Sequence, residues 1–180
     1  REALAMISSN THWREKLKEI LWTDVPISQG SISADGLIVN WIGGVVQSRY
    51  IGMVREGVRI KVLERIDLRV RWPIGVPHHY GVGQQVIAAI PAQAVRLEAG
   101  MFRRSKQRWN RWIGRIVLSE QSAGRRLYTV KIHGEEWTIK STGLVSGAEQ
   151  EMKPWNVVNV VVDPQQIDLM TVGMRCWHSE

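Results

Sequence analysis

The sequence predicts an all-β protein that consists of two small β-barrels in tandem, preceded by a short amphipathic helix. A segment of the chain occurs twice, and short runs within each copy alternate apolar and polar residues with the period of a β-strand. In the N-terminal region, by contrast, apolar residues recur at helical spacing. The 180 residues are 44% hydrophobic and 23% charged, which is the composition of an ordinary folded protein and excludes a disordered or collagen-like chain.

The internal repeat carries most of this prediction. Residues 40–48 (Asn-Trp-Ile-Gly-Gly-Val-Val-Gln-Ser) recur at 111–119 as Arg-Trp-Ile-Gly-Arg-Ile-Val-Leu-Ser, an offset of 71 (112 minus 41). A second match joins 86–97 to 158–169 at an offset of 72 (167 minus 95). Two matches in the same order at nearly the same offset indicate a duplicated unit. On this alignment Trp41 and Trp112 are equivalent, so we expect them to share a core or interface role.

Within each copy the pattern predicts strands. Residues 58–63, 68–72 and 128–132 alternate with period two, and residues 157–162 are almost continuously β-branched, which is typical of a strand buried on both faces. Short strands separated by glycine-containing turns fit a closed or partly closed barrel of the OB type, which removes exposed sheet edges.

The predicted organisation has five parts. Residues 12–22 are expected to form the amphipathic helix, with Trp13 and Leu17 on its apolar face, and residues 23–36 are interpreted as a linker. The predicted boundaries are 1–36 for the helix and linker, 37–99 for the first barrel, 100–109 for a basic linker, 110–171 for the second barrel and 172–180 for a tail.

Charge and cysteine content limit the function classes. The chain has 24 Lys+Arg against 17 Asp+Glu, a net charge of +7, which favours an anionic partner such as nucleic acid, a membrane surface or a small oxyanion. The one cysteine, Cys176, excludes an internal disulfide and a thiolate zinc cluster. The chain starts at Arg1 without a methionine or a signal peptide, so we expect a cytoplasmic module of a longer protein.

Two segments resemble a known family. Residues 82–97 contain a V-G-x-x-V turn followed by P-x-x-x-V-x-L, and Asn110, Gly114 and Ile116 match an N-x-x-x-G-x-V opening. Both patterns are similar to those of TOBE (transport-associated OB) domains. In the molybdate-binding Mop subgroup the opening reads S-A-R-N. Here residues 107–110 retain the Asn110 of that motif, and Val39 is taken as its counterpart in the first copy.

The resemblance implies a non-catalytic module at the C-terminus of the ATP-binding subunit of an ABC importer. Such a module would regulate or dimerise that subunit and sense a transported ligand. The implied partners are a second copy of the chain, an ABC ATPase domain and the transporter's membrane subunits. The implied location is the cytoplasm, at the periphery of the inner membrane.

Candidate donors for a small oxyanion follow the repeated strands. Oxyanion binding requires hydroxyl, amide or cationic donors that converge on one place. The candidates are Ser48, Arg49, Asn110, Arg111, Ser119, Lys140 and Ser141. We expect no catalytic residue, metal or cofactor, because no G-x-x-x-x-G-K-[ST] phosphate loop is present and His78 and His79 would point to opposite faces of a strand.

The alternative interpretation is a basic OB protein that binds single-stranded nucleic acid. Such proteins combine a cationic groove with aromatic platforms on which bases stack. The densest basic and aromatic run in the chain supplies both, through Arg103, Arg104, Lys106, Arg108 and Trp109.

Overall fold

The computed structural model describes residues 12–21, 29–34, 36–74, 80–99, 109–122, 124–132, 137–142, 145–146, 153 and 155–171. Within these ranges it contains one α-helix and twelve strands. The elements are α1 (His12–Leu21), β1 (Gln29–Ala34), β2 (Leu37–Ile51), β3 (Arg55–Leu63), β4 (Ile66–Pro73), β5 (Gln85–Pro91), β6 (Val95–Ala99), β7 (Asn110–Ser122), β8 (Arg125–Ile132), β9 (Trp137–Ser141), β10 (Val145–Ser146), β11 (Val157–Val162) and β12 (Asp168–Thr171). The described part of the chain has no helix with the length and apolar character needed to cross a membrane.

The strands form two six-stranded sheets, in agreement with the predicted all-β class. The first sheet has the order β12-β5-β2-β3-β4, with β1 also paired to β2. The second has the order β10-β6-β11-β7-β8-β9. All pairs are antiparallel except β10 with β6. Each sheet is built on one long strand, β2 or β7, that continues into two hairpins, so the prediction of two OB-like units in tandem is confirmed.

The two units exchange one strand each. After β5 and a 3-10 turn at Ala92–Ala94, β6 leaves the first sheet and pairs with β11 of the second. After β11 and a 3-10 turn at Pro164–Gln166, β12 returns and pairs with β5 of the first. Each sheet therefore contains a strand from the other copy of the repeat. The unit boundaries 37–99 and 110–171 stay a prediction.

Strand pairing gives the repeat a different register from the one expected. In β2 the pairing with β3 shifts between Val46 and Ser48, and in β7 the pairing with β8 shifts between Ile116 and Leu118. Matching the two bulges aligns Val46 with Ile116, an offset of 70 (116 minus 46). Consistent with this, both side chains lie in the core shared by the two sheets.

The expected equivalence of Trp41 and Trp112 is therefore wrong. A shift of one residue turns a strand side chain to the other face of the sheet. Trp41 packs with Trp13 of the helix, whereas Trp112 packs edge-to-face against Trp137 with ring centroids 4.9 Å apart.

The expectation that Val39 replaces the opening asparagine is wrong for the same reason. At an offset of 70 the counterpart of Asn110 is Asn40, and both are buried. The N-x-x-x-G-x-V opening is thus present in both copies, since Asn40, Gly44 and Val46 also match it. A Cβ on Gly44 would lie 2.5 Å from the side chain of Ile60, so the close packing of the strands requires glycine there.

One hydrophobic core joins the two sheets. Its largest fully buried residues come from both sheets: Trp137, Ile60, Leu68, Ile90, Leu97, Ile116, Ile132 and Ile139. β11 lies between β6 and β7 with Val158–Val162 buried, which confirms the prediction of a strand covered on both faces.

The N-terminal helix closes a second, smaller core. Trp13 and Leu17 are fully buried against the outer face of the first sheet, and Arg14 forms an ion pair with Asp168 of β12. Burial raises the pKa of the Tyr80 phenol, while the nearby charge of Arg14 acts in the opposite direction.

Residues 29–34 form β1, although the sequence indicated a linker there. The strand alternates buried and exposed side chains, with Ile32 and Ala34 in the core beneath the helix. Its sequence, Gln-Gly-Ser-Ile-Ser-Ala, contains one large apolar residue, so its periodicity is too weak to distinguish it from a loop.

Candidate functional site

A cationic pocket lies where the β3–β4 hairpin of the first sheet meets the start of β7 in the second. Its volume is about 470 Å³. The residues that line it come from three strands and the residue before β7: Arg59, Asp67, Arg69, Trp109, Asn110, Arg111 and Trp112.

Asn110 fixes the geometry of this pocket by joining β7 to the edge strand β4. The backbone N–H of Arg69 donates to Asn110 Oδ1 (2.8 Å), and Asn110 Nδ2 donates to the Arg69 carbonyl (2.9 Å). These bonds use the amide oxygen and one of the two N–H groups on Nδ2, and they hold the β4 wall of the pocket against β7.

Asn40 makes the corresponding bridge in the other copy. The Lys140 N–H donates to Asn40 Oδ1 (2.8 Å), and Asn40 Nδ2 donates to the carbonyls of Lys140 (2.8 Å) and Ile90 (3.2 Å). The two asparagines therefore cap the free edges of β4 and β9, each from the opposite sheet.

Arg59 and Arg69 face each other across β3 and β4. They are directly paired residues of an antiparallel ladder, and both are half-buried. In the described part of the chain neither forms an ion pair. Like charges directly opposite one another destabilise a sheet, so this wall holds positive charge that an anion would relieve.

The other charged and aromatic groups of the pocket are held by neighbours. Arg111 donates to Glu98 (2.9 Å), and the guanidinium of Arg96 lies 5.6 Å from the ring centre of Trp109. Asp67 lies opposite Lys61 in the β3–β4 ladder, so a cationic residue also faces the one carboxylate that lines the pocket among the described residues. Arg59 and Arg69 are thus the cationic pair best placed to bind an anion.

At the corresponding place in the other copy, β1 packs against β9. There Thr129 and Lys140 replace the two arginines as a cross-strand pair, and Gln29 Oε1 of β1 accepts from the backbone N–H of Thr138 (2.9 Å). The two halves of the duplication therefore differ in the cross-strand pair that they present at this position.

The predicted oxyanion donors do not converge on one site. Asn110 and Arg111 line the pocket. Lys140 contacts Asn40 at the corresponding place in the other copy, and the buried Ser141 hydroxyl donates to the Val95 carbonyl (2.6 Å). The remaining predicted donors lie on β2 and β7 beyond the bulges: Ser48 and Arg49 are exposed, and Ser119 accepts from Arg126 (3.3 Å).

Arg59 and Arg69 were not among the site residues predicted from the sequence. The signal was present, because arginine occupies polar positions of both alternating runs, 58–63 and 68–72. Which arginine faces which depends on hairpin register, and a turn at residues 64–65 with an adjoining ladder irregularity sets that register.

The structure describes only one of the residues predicted to bind nucleic acid. Trp109 lines the pocket, and the basic residues of that prediction, Arg103, Arg104, Lys106 and Arg108, lie outside the described residues. The described residues contain no group of three or more His, Cys, Asp or Glu side chains that could hold a metal ion.

Comparison with solved structures supports this fold. No family model matches the chain, and none of the curated proteins does. Among solved structures, the chain is similar to the cytoplasmic molybdate-binding protein ModG, crystallised with molybdate bound. The two chains are 22% identical with a TM-score of 0.58, and the match covers 78% of this chain and 98% of ModG. The likeness shows a Mop/TOBE-like fold, with two OB-like units in tandem.

Proposed function

We propose that this protein is a non-catalytic binding protein for a small oxyanion, which it holds in the pocket between the β3–β4 hairpin and β7. The observation that carries the proposal is the directly opposed, half-buried pair Arg59 and Arg69. An oxyanion placed between two guanidinium groups would replace their repulsion with charge-assisted hydrogen bonds, each contributing about 1.5–3 kcal/mol. ModG is a molybdate-binding protein, so molybdate and tungstate are the first ligands to test.

Isothermal titration with molybdate, tungstate, sulfate and phosphate tests this proposal. We expect one of these anions to bind the wild-type protein and Arg59→Gln or Arg69→Gln to weaken its binding about tenfold or more, since each variant removes one charged donor. Arg125→Gln, an exposed arginine at the start of β8, is the matched control and should bind like the wild type.

The same variants separate loss of binding from loss of folding. Because Arg69→Gln removes a like-charge repulsion, its thermal midpoint without anion should equal or exceed that of the wild type. A wild-type protein that binds none of the four anions would contradict the proposal, as would equal affinities for the wild type and both pocket variants.

We further propose that the tandem units act as the cytoplasmic regulatory and dimerising module of an ABC importer's ATP-binding subunit. The Mop/TOBE-like fold and the resemblance of the N-x-x-x-G-x-V openings support this role. Sedimentation equilibrium should then give the mass of a dimer, and an importer's ATPase domain should be retained on the immobilised protein. If the protein is a monomer and retains no ATPase domain, the role in an importer is excluded, whereas the proposal of anion binding is unaffected.

A second candidate function, single-stranded nucleic-acid binding, is favoured by Trp109. This indole lines the cationic pocket and directly follows the basic run that ends at Arg108. If the pocket binds a strand, Trp109→Ala should lower its affinity by about 1–3 kcal/mol for the base lost from the stack. Fluorescence anisotropy with a labelled oligonucleotide should show an affinity that falls steeply with salt, and a salt-independent signal would reject this function.

A further inference from the structure

The turn between β2 and β3 carries a cluster of apolar side chains that point into solvent. Ile51 is 77% exposed, Met53 99% and Val54 74%. Ile74, at the end of β4, is 45% exposed and lies beside them because its N–H donates to the Val54 carbonyl (3.2 Å). We refer to these four residues as the apolar tip.

The apolar tip is held on a fixed base. Gly52 N–H donates to the Arg55 carbonyl (2.8 Å), which closes the turn. Below it, the Tyr50 hydroxyl donates to the Val70 carbonyl (3.2 Å) and accepts from Arg71 Nε (2.8 Å). The turn can therefore present its apolar side chains without rearranging.

Positive charge surrounds the apolar tip. Arg49 and Arg55 flank it along the chain, and both are exposed. Arg71 adds a third guanidinium at the base, against the one carboxylate of Glu56 on the same hairpin end. An exposed apolar cluster with a cationic border suits a surface that is anionic outside and apolar beneath.

The second copy of the repeat shows that the fold does not need apolar residues here. At the offset of 70, Gln121 stands where Ile51 stands, and Gln121, Gly124 and Arg125, which are described at the β7–β8 hairpin end, are exposed. Since β7 and β8 form the equivalent hairpin without large apolar residues at its end, the apolar side chains of the first turn serve something other than hairpin formation.

We propose that the apolar tip docks on an anionic phospholipid surface. Its side chains enter the boundary between headgroups and acyl chains, while Arg49 and Arg55 remain at the level of the lipid phosphates. A lipid surface suits it better than a preformed protein pocket, because three side chains exposed by 74% or more project from one turn and a bilayer deforms around them.

Co-sedimentation with vesicles tests the proposal. The wild type should bind vesicles of equal parts phosphatidylcholine and phosphatidylglycerol and bind pure phosphatidylcholine far more weakly. The double variant Ile51→Ser with Met53→Ser should lose about tenfold or more in partitioning, through lost burial of apolar area. Arg49→Gln with Arg55→Gln should lose about fivefold per charge and should weaken the salt dependence.

Two controls keep the test specific. Arg125→Gln, in the equivalent turn of the second copy, should bind vesicles like the wild type. The Ile51→Ser, Met53→Ser variant should keep the wild-type thermal midpoint and anion affinity, since both side chains are exposed and neither lines the pocket.

Three results would overturn the proposal. One is failure of the wild type to bind anionic vesicles, and another is equal binding by the Ile51→Ser, Met53→Ser variant. The third is a wild-type dimer that becomes a monomer in that variant without any vesicle binding, which would assign the apolar tip to a second copy of the chain.

Discussion

Trp137→Ala is expected to lower the free energy of unfolding by about 3–5 kcal/mol, the range for removing a buried tryptophan side chain. Trp137 is 1% exposed at the start of β9, where it packs edge-to-face on Trp112 inside the core that joins the two sheets. Its removal leaves a large cavity at a point where both copies of the repeat contribute side chains. We therefore expect one cooperative urea transition shifted to lower urea, rather than the loss of one sheet alone.

Trp155→Ala is the matched control. Trp155 is 70% exposed, and its backbone N–H donates to the Ile116 carbonyl, a bond that the substitution leaves in place. This variant should stay within about 0.5 kcal/mol of the wild type, as expected for surface substitutions. Similar losses in the two variants, or two separate transitions in Trp137→Ala, would contradict a core shared between the sheets.

The two asparagine bridges should differ in strength although they are equivalent in the repeat. Asn40→Ala should cost about 2–4 kcal/mol, because the N–H and carbonyl of Lys140 lose their bonds to it beneath β1, and a buried polar group left unpaired costs about 1–3 kcal/mol. Asn110→Ala should cost about 1–2 kcal/mol, because Asn110 lines the open pocket and water can reach the groups it releases.

Urea unfolding of the two variants measures this difference directly, and each serves as the control for the other. Asn110→Ala should also weaken anion binding, since Asn110 positions Arg69, whereas Asn40→Ala should leave it unchanged in the folded protein. Equal unfolding free energies with equal anion affinities would show that the bridges do not hold the edge strands as described.

The repeat and the strands could be predicted from sequence, but the register of the repeat could not be read from identity alone. The shared Trp-Ile-Gly triplet suggested an offset of 71, while the buried asparagines and the glycine four residues later set it at 70. A tryptophan side chain can pack on either face of a sheet. A buried asparagine amide, by contrast, needs hydrogen-bond partners, which are present on only one face. The asparagines were therefore the better guide to register.

Strand exchange and the pocket arise from pairings between distant parts of the chain. Nothing in residues 95–99 or 168–171 indicates that each joins the other copy's sheet, because exchanged and unexchanged strands carry the same alternation. The pairing of Arg59 with Arg69 likewise depends on hairpin register, so its place beside Asn110 emerges only in the folded protein.

Crystals grown with sodium tungstate would test oxyanion binding most directly, because tungsten scatters anomalously and marks its own position. We predict an anomalous peak within hydrogen-bonding reach of the guanidinium groups of Arg59 and Arg69. A tungstate bound instead beside Ser48 and Arg49 would contradict the assignment of this site. So would crystals soaked in tungstate that show no anomalous peak in the pocket.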